Sequence, residues 1–435
     1  MTAKMTYLNT RVSPEKTYEN ANYLQVNPQA RLGEIGRVNF VADYPGITQI
    51  MSQLGEVFLH YGSQIEFVTK GPAQNILEKK FGQTLFPSVM TRPDWIFIAN
   101  AEPFSTERIK KAQLFNPKVS IGIVEQTENT AISIYNLLKA QDLTPNIIFS
   151  ISKVSATNIC KTGSVIEAPA IPVGNIEFEQ LLKKDINKIK IEARNALGIK
   201  PESTLITFIG RPDGIIYENG GKNEHPTNSL TLKQSLSSLK IIANNHKEKE
   251  FVFVYMPHPN DENAVDPNSL IDELPDNVKI MSKSQQEWKE FSSSTSEITT
   301  ASDLLLTIRS TVGQTIALLG VHESEQTFIP LALHILFKEF QPHIENSALP
   351  SNLAILKMKA EPFVESKDNL TEVIEKCLFN KDFQREFRKN QKGQFQEEYY
   401  HIQPAERLWF WTMMYHTYGE KRVKDSLLDY QNISD

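Results

Sequence analysis

Apolar residues in this chain fall into short unbroken runs. The runs are separated by stretches in which apolar positions recur every three or four residues. Residues 1–30 are polar and turn-rich and read as an arm or irregular cap. The first run is RVNFVAD at 37–43, closed by Asp-Tyr-Pro-Gly. Ile47, Ile50, Met51, Leu54 and Phe58 then mark one face of a helix over 47–60. QIEFVTK at 64–70 follows, so strand, helix and strand occupy one compact unit. The alternation continues with strands at 95–100, 118–124 and 146–151 and helices over 73–81, 105–115 and 129–140. Continuous rather than alternating apolar runs predict a parallel sheet covered on both faces. The segment VIEAPAIPVGN, 165–175, reads as a linker because proline and polar residues interrupt it.

A second alternation begins near Lys184. It predicts a helix over 185–199, a strand over 203–210, a loop over 211–227 and a helix over 229–245. A strand over 250–260, a polar excursion, a strand over 277–282 and a short helix over 284–291 follow. A Ser/Thr-rich stretch at 292–300 precedes a buried strand at 304–308 and a helix over 312–319. Residues 326–330 read as a short strand or turn, 352–359 as a strand, and 369–390 and 403–427 as helices. The expected class is α/β, with domains at 1–172 and 173–395 and helices at 396–435 packing across them. In such sheets ligands bind beyond the carboxyl ends of the strands.

Composition narrows the function. The 435 residues carry 46 basic and 52 acidic side chains, a formal net charge of −6, which argues against a general nucleic-acid binder. Two cysteines, Cys160 and Cys377, exclude a disulfide framework and a Cys-x-x-Cys metal knuckle. The first twenty residues lack a signal-peptide apolar core and no stretch reaches membrane-spanning length, so the expected location is cytoplasmic. The run AERLWFWTMMYHTYGEKRV spaces Trp409, Met413 and His416 at helical intervals. Packing against the domains is the expectation for it, and weak peripheral membrane contact the alternative.

The chemistry concentrates at strand ends. In SDLLLTIRSTVGQTIALLG, Ser310 and Thr311 sit where a helix cap belongs, with Gly313 and Gln314 in the first turn. Free N–H groups there suit a phosphate, and the bland alternative is a plain cap with a small packing residue. Arg211 follows the first strand of the second half and is placed to reach a phosphate. His258, between two prolines in MPHPN, marks a rigid strand end. Asp43 and Glu125, ending strands of the first half, are candidate bases, with turn or cap roles as alternatives. No metal cluster, Walker loop or Gly-x-Ser-x-Gly elbow stands out, and no metal or cofactor is expected.

ITFIGR at 206–211, YMPHPN at 255–260 and SDLLLTIRSTVGQTIALLG at 302–320, in that order, resemble the GT-B superfamily of nucleotide-sugar glycosyltransferases. Similarity extends to non-hydrolysing UDP-sugar 2-epimerases and to CDP-glycerol glycerophosphotransferases. The resemblance implies two Rossmann-like domains facing a central cleft. It implies that Arg211, His258, Ser310, Thr311, Gly313 and Gln314 hold the diphosphate of a nucleoside-diphosphate sugar. The first domain then takes the acceptor, a glycan, lipid-linked or protein hydroxyl, near Asp43. Retaining members often carry a glutamate where this chain has Thr315, so the expectation is an inverting, metal-independent transfer. Nucleotide-sugar 2-epimerisation, polyol-phosphate transfer and a catalytically inactive binding protein are the alternatives.

Overall fold

The computed structural model describes residues 35–42, 45–69, 72–81, 92–125, 130–161, 167–176, 185–210, 214–218, 221–225, 227–258, 264–283, 287–288, 291–308, 311–320, 323–324, 327–339, 354–395 and 403–434. Its first half contains β1 (Arg37–Ala42), α1 (Pro45–His60), β2 (Gln64–Thr69), α2 (Pro72–Phe81), β3 (Trp95–Ile98) and α3 (Pro103–Phe115). It continues with β4 (Ser120–Val124), α4 (Thr130–Lys139), β5 (Ile147–Ser150), α5 (Lys153–Lys161) and β6 (Ala170–Pro172). The strands form one parallel sheet in the order β2-β1-β3-β4-β5-β6.

Both faces of this sheet are buried, which is why its strands read as unbroken apolar runs. Val38, Phe40, Trp95, Phe97 and Phe149 pack under α1 through Ile47, Met51, Leu54 and Phe58. Val41, Ile96, Ile98, Ile121 and Ile123 pack on the other face against Ile109, Tyr135 and Ile159. Each fully buried side chain of this size contributes roughly 1.5–3 kcal/mol. Phe40 stacks on Phe97 at 5.5 Å, and Phe97 occupies the space that a side chain at Gly122 would need.

The second half contains α6 (Ile186–Ala196), β7 (Thr204–Ile209), β8 (Gly214–Glu218), β9 (Gly221–His225), α7 (Thr227–Asn245), β10 (Phe251–Met256) and β11 (Val278–Ser282). Then come α8 (Thr295–Ala301), β12 (Leu304–Thr307), α9 (Thr311–Gly320), β13 (Leu331–Ile335), α10 (Ala354–Lys357), β14 (Phe363–Val364), α11 (Lys367–Phe379), α12 (Lys381–Asn390) and α13 (Pro404–Ser434). The second sheet is also parallel, in the order β11-β10-β7-β12-β13-β14, and β8 and β9 form a separate antiparallel hairpin.

Several expectations are corrected. The 165–175 linker contains β6, hydrogen-bonded to β5, with Ala170 and Ile171 buried. The Ser/Thr-rich stretch contains α8, started by a capping box. Ser294 Oγ accepts from Glu297 N at 3.3 Å, while Glu297 Oε2 accepts from Ser294 N at 2.9 Å. Residues 326–330, expected as a short strand or turn, hold no strand among those described (327–330), and β13 follows directly at Leu331–Ile335. The strand expected at 352–359 is instead the single turn α10, followed by Lys359 at φ 49° and then β14. The expected single helix over 369–390 is two. Asn380 ends α11 and caps α12 through its side chain, which accepts from Phe383 N at 2.9 Å. The loop expected at 211–227 holds the β8–β9 hairpin.

The last helix returns to the first sheet. Leu408, Trp411, Met413 and Met414 are buried in the core beneath α1, so these side chains are not available to a membrane surface. Trp409 stacks on Tyr61 at 3.8 Å, and Trp95 Nε1 donates to His416 Nδ1 at 3.3 Å. Gly419, at φ 78° and ψ 176°, breaks α13. Among the described residues no helix is long and apolar enough to cross a membrane.

At the amino end of β13 the buried Arg388 donates to the carbonyls of Ile329 and Pro330 and pairs with Glu323. Beside it Glu361 accepts from Ala332 N at 2.6 Å and from Gln391 Nε2 at 3.0 Å. Burial pushes the Glu361 carboxyl well above the usual carboxylate range, with Arg388 opposing the shift.

Candidate functional site

Connectivity marks where a ligand belongs. From β7 the chain runs outward through β10 to β11, then returns to the other side of β7 and runs outward through β12, β13 and β14. The connections diverge between β7 and β12, leaving a crevice beyond their carboxyl ends. In the first sheet the divergence lies between β1 and β3.

The loops singled out in the sequence emerge at these points. Gly210 directly follows β7, and its N–H donates to Met256 O at 2.8 Å. A Cβ at position 210 would lie 3.1 Å from the Tyr255 ring, so the strand closes against this tyrosine. Tyr255 Oη accepts from Asn228 Nδ2 at 3.0 Å. Arg211 lies outside the described residues. His258 is half-buried, two positions past the end of β10. Ser310 lies outside the described residues, and Thr311 is described only as the first residue of α9. Asp43 follows β1 and also lies outside the described residues.

Gly313 and Gln314 occupy the first turn of α9 and are both buried. The space at Gly313 is taken by a residue beneath it. A Cβ there would lie 2.7 Å from His334 Nε2 and 3.6 Å from Ala332 Cβ. Close packing of the helix on the strand therefore accounts for this glycine. His334 is 2% exposed and pairs in register with Thr307, the last residue of β12. Neither ring nitrogen of His334 has a hydrogen-bond partner, nor has Thr307 Oγ1 or Gln314 Oε1. Burial pulls the imidazole down to about 4, so the ring is neutral. Thr307 and His334 stand outside the candidates drawn from the sequence. The signal for His334 is a titratable residue inside the apolar run PLALHILF, 330–337.

Glu125 ends β4 and is 3% exposed. Ser155 Oγ donates to it at 2.7 Å, Ser150 Oγ at 3.0 Å and Ile151 N at 3.3 Å, while Ala131 N donates at 3.4 Å. Burial raises its carboxyl to about 7 and the serine bonds oppose that rise. Glu125 thus ties the turn after β5 to the start of α4. Ile151, in that turn, is buried in the apolar cluster of the second sheet. The carboxyl end of β5 therefore touches the other half of the molecule. Among the described residues no group of three or more His, Cys, Asp or Glu side chains is arranged to hold a metal ion.

No family model matches the chain, and no curated protein matches it in sequence. Solved structures do match. A UDP-GlcNAc 2-epimerase from Neisseria meningitidis, bound to UDP-GlcNAc, is similar at 14% identity and TM-score 0.54, over 87% of this chain and 99% of that one. A glycosyltransferase from Rickettsia africae is similar at 12% identity and TM-score 0.51, over 87% and 97%. The wall teichoic acid polymerase TagF is similar at 10% identity and TM-score 0.51, over 90% of each chain. At these identities the likeness concerns architecture: the chain has the two-sheet α/β fold of the GT-B enzymes.

Proposed function

We propose that this protein is a glycosyltransferase that moves a sugar from a nucleoside-diphosphate sugar to an acceptor hydroxyl, with inversion. The observation that supports this most is topological. The divergence of the second sheet lies between β7 and β12, whose carboxyl ends lead into Gly210–Arg211 and the amino end of α9. In this reading Arg211, His258, Ser310, Thr311, Gly313 and Gln314 hold the nucleotide diphosphate. The acceptor hydroxyl attacks the anomeric carbon and Asp43 takes its proton. The bond to the diphosphate breaks as its charge is stabilised by Arg211 and the helix end, a scheme that requires no metal ion. Both Glu125 oxygens are engaged by serines and backbone amides, so its assigned part is to shape the facing turn. The domains are read as 1–172 and 173–395, with the helices at 396–435 expected to pack across them, and the described α13 packs on the first.

A second reading, 2-epimerisation of a nucleotide sugar, draws on the likeness to the Neisseria epimerase. Two measurements separate the possibilities. Thermal shift against UDP-, GDP-, dTDP-, ADP- and CDP-linked ligands identifies the base, because a ligand bound only by the folded state raises apparent stability. Incubation with UDP-GlcNAc alone yields a 2-epimer only for an epimerase, whereas a transferase needs an acceptor. No shift with any nucleotide overturns both readings.

A further inference from the structure

Ser150 carries a hydroxyl hydrogen with two acceptors in reach. Its Oγ lies 3.0 Å from Glu125 Oε2 and 2.9 Å from Ser152 O. Ser155 Oγ lies 2.9 and 2.7 Å from the two Glu125 oxygens. Ile151 N donates to Oε2 at 3.3 Å and Ala131 N to Oε1 at 3.4 Å. Glu125, Ser150, Ser152 and Ser155 are all buried. These positions serve two hydrogen-bond patterns. A carboxylate accepts from all four groups, and the Ser150 hydrogen points to it. A carboxylic acid has a hydrogen of its own, which a hydroxyl can accept and a backbone N–H cannot. Ser150 Oγ then accepts from Glu125 and turns its own hydrogen to Ser152 O. The same heavy-atom positions therefore hold the side chain with or without its proton.

The turn built by this network is where the halves meet. Ile151 belongs to the same apolar cluster as Ile206, Phe208 and Leu306 of the second sheet, and Val154 packs against that cluster. The elements around the carboxyl bring few charges. β4 and β5 have none, α4 has Lys139, and α5 has Lys153 and Lys161. The cluster that Ile151 enters has Tyr255 and Cys377 as its titratable members. None of these is among the causes acting on Glu125, which are burial and the four hydrogen-bond partners.

We propose that Glu125 is a proton-operated latch between the two halves. As an acid it holds the Ser150–Ser152 turn with Ile151 seated in the second half. Loss of the proton favours an open form in which the turn lifts and water reaches the carboxylate. Burial penalises the charged form, and opening supplies the hydration that it lacks. The sign follows from a value of about 7 in the buried pocket against 4.5 for the ordinary carboxyl. The preference for the closed form is fully present below pH 4.5 and is lost as pH rises through 7. From pH 5 to pH 8 the opening equilibrium should rise on the order of fiftyfold, most of it before pH 7. The latch goes beyond the nucleotide-sugar reading and does not depend on it, since it requires no ligand.

The test uses the full chain and the variants Glu125→Gln, Glu125→Ala and Ile151→Ala, each checked for folding by circular dichroism. Amide hydrogen exchange of residues 150–156 is followed by mass spectrometry from pH 5 to pH 8. Dividing by the intrinsic exchange rate at each pH leaves the opening equilibrium. In the parent it should rise as stated. Glu125→Gln resembles the acid, because its amide donates to Ser150 while its oxygen accepts, so the segment should stay protected at every pH. Glu125→Ala should leave it open at every pH. Ile151→Ala removes the hold of the second half, and the segment should open roughly tenfold or more readily at pH 5. Ile151→Val, which only shortens the contact, takes its place if that variant does not fold, with a smaller rise expected. A flat profile in the parent overturns the proposal, and so does a profile that changes equally in Glu125→Gln. Exchange in the Ile151 variant equal to that of the parent overturns it too, because the second half would then not be holding the turn. None of these results bears on nucleotide binding, so the transferase reading stands or falls separately.

Discussion

Replacing Gly313 by alanine tests the packing at the start of α9. A methyl group there would lie 2.7 Å from His334 Nε2 and 2.8 Å from Cε1. Carbon contacts are optimal at about 3.5–4.0 Å, so the methyl intrudes by close to 1 Å. The ring has little room to retreat. His334 lies on β13 between β12 and β14, and its backbone N–H donates to Pro362 O at 3.0 Å. Overpacking of this kind costs about 1–3 kcal/mol. Against it stands the helical gain of alanine over glycine, up to about 1 kcal/mol. The balance is a net destabilisation of about 1 kcal/mol. In a His334→Ala background the obstacle is gone and the methyl enters the vacated space. There Gly313→Ala should stabilise by about 0.5–1 kcal/mol. The cycle of four proteins is measured by equilibrium urea unfolding with circular dichroism. It should give a coupling of about 1–3 kcal/mol, the range seen for residues in direct contact. If Gly313→Ala stabilises the parent protein, or if its effect is the same with and without the histidine, the packing argument fails.

Glu125 predicts a pH signature. Its folded value of about 7 lies above the unfolded value of 4.5. Its contribution is therefore fully present below pH 4.5 and is lost as pH rises through 7, a change on the order of 3 kcal/mol. Glu125→Gln cannot titrate, so the stability of the parent minus that of the variant should fall by about this amount from pH 4 to pH 8. A flat difference would contradict the burial of the carboxyl. His334 acts in the opposite sense: its value is depressed, so its contribution is lost as pH falls from 6.5 through about 4. Stability curves of the parent alone will therefore partly hide both groups. Arg388→Met should destabilise by about 3–5 kcal/mol because Glu323 loses its cation and the buried carbonyls of Ile329 and Pro330 lose their donor. Arg388→Met/Glu323→Gln should recover part of that loss in thermal unfolding, and no recovery would mean that the ion pair is not a source of it.

The strands that are buried on both faces were legible because most positions in them are apolar. RVNFVA is found within a residue of its observed limits, and FVFVYM begins one residue after the expected start but ends four residues before the expected end. The strand-end loops were recognisable by their polar punctuation, but the crevice between β7 and β12 depends on the strand order, which the sequence pattern does not give. Elements were obscured where the signal comes from somewhere else. β6 has only three residues and owes its place to the ladder with β5. α8 depends on the reciprocal cap of Ser294 and Glu297, hidden in a polar stretch. The run 352–359 satisfies both a strand and a helix pattern, and the turn at Lys359 decides between them. At the site, His334 was concealed by its own surroundings, because a lone histidine in an apolar run gives no hint of its register with Thr307. Glu125 was placed correctly at a strand end, but three of its donors, Ser150, Ile151 and Ser155, come from β5, the turn after it and α5, which are distant in sequence, while Ala131 is at the nearby start of α4.

The return of α13 to the first sheet has a consequence for biosynthesis. Domains generally fold as units, amino-terminal first, as they leave the ribosome. Here the first sheet has an apolar face covered by Leu408, Trp411, Met413 and Met414, which are translated only after the whole of the second sheet. The later half can therefore complete its core while the earlier half still waits for its cover. Until α13 emerges, a greasy aromatic surface around Trp95 and Tyr61 stands open to chaperones, and α13 acts as the clasp that ends this exposure.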